Sequence, residues 1–102
     1  PALASALEWL SPSDNETLSP DDFPYTIKAK LGKSSGIQKI DLYYEDENDQ
    51  VDYINTARQF PNDQLIIQWP NSPDAGTYSL YATITNQDGY SYKSEEVKIN
   101  IE

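Results

Sequence analysis

Asp74-Ala75-Gly76-Thr77-Tyr78-Ser79-Leu80 is the stretch on which the reading of this chain turns. An acidic residue, a small residue and a glycine make a turn, and the tyrosine two places after the glycine opens a strand. Alternation from there is strict, with Tyr78, Leu80, Ala82 and Ile84 on one face and Ser79, Tyr81, Thr83 and Thr85 on the other. A period of two marks a half-buried β-strand. Asn86-Gln87-Asp88-Gly89 follows as a hairpin turn, with glycine supplying the positive φ.

The same period recurs outward in both directions. Upstream, Leu65, Ile67 and Trp69 alternate until Pro70 stops them, and Ile40, Leu42 and Tyr44 oppose Asp41, Tyr43 and Glu45 within residues 37–45. Tyr25, Ile27, Ala29 and Leu31 share a face after Phe23-Pro24, with Lys28 and Lys30 on the other. Leu7 and Trp9 form a first short strand ended at Ser11-Pro12. Residues 50–55 return as a polar strand whose charge suits a sheet edge. Residues 90–101 close the domain, with Val97, Ile99 and Ile101 inward. Residues 13–22, 32–36 and 56–63 read as loops, the last tucking Phe60 beneath itself. The sum is seven short strands in 102 residues, an all-β sandwich spanning residues 7–102, with residues 1–6 as a linker.

Composition narrows the functions available. Seventeen acidic residues against seven basic give a net charge of −10, which repels phosphate backbones and anionic membrane surfaces. Nucleic acid is therefore not an expected partner. No apolar run approaches the ~18 residues of a membrane span, so direct membrane insertion is not expected either. Cysteine and histidine are both absent, which removes disulfides, thiolate chemistry and the usual general base at neutral pH. No cofactor is expected. A cysteine-free exported domain fits bacterial secretion better than animal secretion.

With strands and turns placed, the chain from Leu7 to Ile101 resembles a bacterial immunoglobulin-like (Ig-like) domain, one of the modules strung along exported and surface proteins. Leu7-x-Trp9-x-x-Pro12 resembles the family's opening. The run Ser35-Gly36-Ile37-Gln38-Lys39-Ile40-Asp41-Leu42-Tyr43 resembles its Gly-Ile strand, and Gly76-Thr77-Tyr78-Ser79-Leu80-Tyr81-Ala82-Thr83 with Asp88-Gly89 resembles its Gly-x-Tyr strand and hairpin. The resemblance implies a Greek-key sandwich in which Tyr78 bonds back to upstream backbone. Leu80 stands where antibody domains carry a cysteine, which separates the chain from those relatives. Their third-strand tryptophan is missing as well, leaving Trp69 and Trp9 to fill that volume. The implied setting is extracellular, cell-surface or periplasmic. The implied role is a non-catalytic spacer or docking element beside neighbouring domains of a parent chain.

Three candidate chemistries compete with a purely structural role. By alternation Tyr43 and Tyr81 point outward from neighbouring strands, Tyr90 and Tyr92 join them unless a bulge shifts the phase, and Tyr53 extends the row. Such an aromatic face suits stacking on a polysaccharide or anchoring a surface protein, whereas cross-strand tyrosine pairs can equally serve the sheet alone. Asp46, Asn48 and Asp49 at a hairpin tip form a calcium candidate. The spacing departs from a calcium-loop pattern, with Val51 in place of glycine and Ala57 at position twelve. The remaining acids fall in loops or on outward faces, with nothing to split a catalytic pair, so no enzyme is expected. No inward lysine is available for an isopeptide bond.

Overall fold

The computed structural model describes residues 7–32 and 35–102, so the linker reading of residues 1–6 and the centre of the 32–36 loop lie outside the described residues. Among the described residues nine strands form two sheets: β1 (Leu7–Ser11), β2 (Glu16–Leu18), β3 (Tyr25–Leu31), β4 (Ile37–Glu45), β5 (Val51–Ala57), β6 (Gln64–Trp69), β7 (Gly76–Asn86), β8 (Ser91–Lys93) and β9 (Val97–Ile101). The smaller sheet runs β1-β3-β6. The larger runs β2-β9-β7-β4-β5, with β8 also on β7. This is an all-β, two-layer, Ig-like sandwich, and its core comes from the inward residues the alternation identifies. Ile27, Leu65 and Trp69 from one sheet meet Ile40, Leu42 and Leu80 from the other.

Tyr78 confirms the corner: its hydroxyl donates to the Asp74 carbonyl at 2.6 Å. Trp69 fills the centre at 2% exposure, and Trp9 packs on the core's flank while its indole N–H donates to the Glu95 carbonyl at 3.1 Å. Phe60 packs against the core beneath its loop, as expected. A run of rings crosses between the sheets at the same end, from Phe23 to Trp69 (5.1 Å between centroids), on to Tyr44 (5.1 Å) and to Tyr78 (5.4 Å).

Three boundaries differ from the sequence reading. Residues 13–22, expected as loop, contain β2, which pairs in parallel with β9 from Glu16↔Ile99 to Leu18↔Ile101. Asp14 and Asn15 set that pairing, since Asp14 Oδ1 accepts the Lys98 N–H at 2.9 Å and the Asn15 N–H donates to the Lys98 carbonyl at 2.6 Å. A single buried residue, Leu18, is too short a pattern to show alternation. The closing strand, read as one piece over 90–101, is broken into β8 and β9. Here the Ser94 N–H donates to the Ala82 carbonyl (2.8 Å) and Ser94 Oγ accepts the Ala82 N–H (2.9 Å). Thr56 and Ala57 belong to β5 rather than to the following loop.

The registers also fix the poles of the sandwich. Leu7 opens β1 opposite Leu31, beside the 32–36 loop. Ile101 closes β9 opposite Gly76 and Leu18, at the end that carries the tyrosine corner. The first strand thus starts at one pole and the last ends at the other, along a body whose longest axis is 38 Å.

Candidate functional site

The outer face of the larger sheet brings three of the five candidate tyrosines together. Tyr43 lies opposite Tyr53 on β5 and opposite Tyr81 on β7, because directly opposed residues of antiparallel strands share a face. Tyr43 and Tyr81 are stacked, with centroids 5.5 Å apart and planes 25° apart. Tyr53 meets Tyr43 edge-on at 5.8 Å. Lys93 Nζ lies 4.2 Å from the Tyr81 ring centroid and also pairs with Glu96 at 2.8 Å. The row Lys93–Tyr81–Tyr43–Tyr53 therefore crosses four strands.

Tyr90 and Tyr92 are not part of it. Tyr92 lies opposite Ile84, which is fully buried, so its ring packs on the core side; Tyr90, 72% exposed, sits in the turn before β8. Counting back by twos from inward Val97 places both rings outside unless a bulge shifts the phase. The reason for the correction is a single residue. Four steps separate Leu80 from Ile84 on β7, while five separate Tyr92 from Val97 on the partner side, so the bulge at Ser94 inverts the phase.

A polar network that sequence reading missed runs beside the rings. Asp41 is on the outer face yet only 9% exposed. Thr56 Oγ1 donates to Asp41 Oδ1, so the Tyr53 hydroxyl must donate to Thr56, and Lys39 Nζ approaches Asp41 Oδ2 at 3.5 Å. Asp41 is the one buried acid among the described residues, and both its oxygens are engaged. Burial, reinforced by the Asp41 charge and the neighbouring tyrosines, pushes the Tyr43 hydroxyl above the ordinary phenol range. The hydrogen bond to Glu96 holds the Lys93 ammonium above the usual lysine range. The stacked faces of Tyr43 and Tyr81 are turned toward each other and toward Lys93. What they present outward is ring edge and hydroxyl, whereas Tyr53 is 56% exposed.

The calcium candidates take part in the hydrogen bonds of a turn. Asp46 Oδ1 accepts the N–H groups of Asn48 (2.8 Å) and Gln50 (2.9 Å), and Asp49 adopts φ 65° to close the turn. Among the described residues, no group of three or more acidic side chains is arranged to hold a metal ion. Asp46, Asn48 and Asp49 shape a hairpin.

No model of a known protein family matches the sequence, and no curated protein matches it. Solved structures do match in shape. The fibronectin(III)-like modules of Clostridium thermocellum CbhA are 19% identical, with a TM-score of 0.67 over 93% of this chain and 93% of that one. CopC from Methylosinus trichosporium OB3b is 14% identical, with a TM-score of 0.61 over 94% and 93%. A superoxide reductase (neelaredoxin) from Ignicoccus hospitalis is 16% identical, with a TM-score of 0.69 over 100% of this chain and 88% of that one. At these identities the likeness is one of fold, a β-sandwich resembling fibronectin(III)-like modules. A scaffold shared with a named reductase carries no activity by itself.

Proposed function

We propose that this domain is a non-catalytic accessory module of a larger exported bacterial protein, acting as a rigid spacer between neighbouring domains. The observation that carries the reading is the placement of β1's start and β9's end at opposite ends of the sandwich along the strand direction. Chain continuing in both directions leaves in line, so each such module adds a fixed length and orientation. The absence of histidine and cysteine from the sequence, and the full engagement of the single buried acid, support a non-catalytic role. The match over nearly the whole of a CbhA fibronectin(III)-like module supports an extracellular, multidomain setting.

Two copies joined in tandem should give a small-angle scattering envelope close to twice the single-module length. Exchange of the module within its parent for an unrelated sandwich of equal length should leave the parent's activity intact. A folded-back tandem, or loss of activity on exchange, overturns the spacer reading.

A second reading has its own observation. Tyr53 is the most exposed ring of the row, and its hydroxyl is fixed by Thr56, a geometry suited to contact with a sugar ring of a polysaccharide. Binding on a glycan array that Tyr53→Ala abolishes at unchanged melting temperature would support it, and no binding at millimolar protein would sink it.

A further inference from the structure

The edge of the smaller sheet differs from the rest of this acidic surface. Gln64-Leu65-Ile66-Ile67-Gln68-Trp69 forms edge strand β6 without one charge or proline, the devices that ordinarily keep an edge from pairing. Its inner residues Leu65, Ile67 and Trp69 are buried, while Ile66 is 42% exposed.

Two hydrogen bonds reveal which backbone groups face outward. The Gln68 carbonyl accepts from Asn55 Nδ2 at 3.3 Å, and the Gln64 N–H donates to Pro61, so both residues direct these groups away from β3. Antiparallel ladders alternate, so Ile66, between them, turns its N–H and C=O the same way. Next to this edge the outer face carries basic residues, with one acid, Glu8, opposite Lys30 on the side away from β6. Lys28 lies opposite Ile66, Lys30 opposite Gln64, and Arg58 lines the groove between β5 and β6; neither lysine is in a salt bridge among the described residues. These are three of only seven basic residues in a chain of net charge −10.

We infer that β6 is a docking edge for an extended acidic segment of a partner protein, which adds antiparallel to β6 as a fourth strand of the smaller sheet. Ile66 supplies the backbone donor and acceptor, and charge selects the occupant. Alternate side chains of the incoming strand fall on the Lys28–Lys30 face, where carboxylates are favoured. Those between them face the groove that Thr56 and Ala57 line at the end of β5. The surface uses none of the rings of the tyrosine row, although Thr56, which fixes the Tyr53 hydroxyl, also lines its groove.

The test uses the isotope-labelled domain and two capped synthetic peptides, one alternating glutamate with valine and one alternating lysine with valine. The glutamate peptide should shift the amides of residues 64–68, slow hydrogen exchange at Ile66, and bind about tenfold more tightly than the lysine peptide at low salt. Ile66→Pro removes the outward N–H without touching the β3 ladder and should abolish both effects. The double variant Lys28→Glu with Lys30→Glu, altering exposed positions only, should reverse the peptide preference. No perturbation at millimolar peptide, equal affinity for both peptides, or shifts confined to other surfaces would overturn the inference. Concentration-dependent shifts at these amides without peptide would assign the edge to a second copy of the chain and overturn it equally.

Discussion

Asp49 and Gly89 occupy the same position in two copies of one turn. In each, an Asx side chain three residues earlier caps the loop: Asp46 Oδ1 accepts from Asn48 and Gln50, and Asn86 Oδ1 accepts from Asp88 and Tyr90. Each loop then closes through a left-handed residue, Asp49 at φ 65° and Gly89 at φ 89°. Glycine bears that conformation without steric cost, and aspartate does not. Asp49→Gly should therefore raise stability by up to about 1 kcal/mol, read as a higher urea midpoint at unchanged slope. Tyr78→Phe should act the other way. Loss of the 2.6 Å bond to the Asp74 carbonyl should cost about 1 kcal/mol with the ring packing retained. Tyr78 was legible in the sequence because a turn motif and an alternating strand agreed on its place. The Asp41–Thr56–Tyr53 chain was not, since Asp41 and Thr56 come together only through the β4–β5 register, which carries its own irregularity at Leu42–Tyr43.

At the level of elements, strands with three or more alternating apolar residues were readable, as were short β1 and the polar edge strand β5, whereas β2 and the break between β8 and β9 were not. β3, β6 and β7 show the alternating pattern, and their inward sets are buried as expected except for Tyr25, which is half-buried at the start of β3. β2 offers one buried leucine, and β8 owes its place to its partner strand. The phase of Tyr92 illustrates the limit. Periodicity assumes an unbroken ladder, and the extra residue at Ser94 is visible only once two strands are aligned. Ser94 is itself buried, and its hydroxyl satisfies the Ala82 N–H in the middle of β7. Ser94→Ala should cost about 1–3 kcal/mol by leaving that donor unpaired. The loss should exceed that of Ser91→Ala, whose hydroxyl meets Thr85 at the exposed end of β8. Paired thermal melts of the two variants check the ordering, and equal losses would mean the bulge is held by other contacts.

For the molecule as a whole, the aromatic content sets a pH limit. Burial raises the hydroxyl pKa of Tyr25, Tyr43, Tyr44 and Tyr78 above the ordinary value. The unfolded chain releases these protons from about pH 10, while the folded chain still holds them. The folded state then binds more protons, and stability must fall as pH rises. Urea midpoints should stay level from neutral pH to about pH 10 and drop beyond it, with tyrosinate absorbance lagging in the native state. A midpoint that held through the phenol titration would contradict the assigned shifts. The parallel pairing of β2 with β9, three residues long, acquires a further meaning from the opposite ends of the sandwich at which β1 starts and β9 ends. Tension applied through those ends draws β9 toward one pole and β2 toward the other. Their hydrogen bonds then lie across the pull and must rupture together rather than in succession. A patch too short to be seen in the sequence is thus placed as a mechanical latch, bearing load in shear before the core strands do.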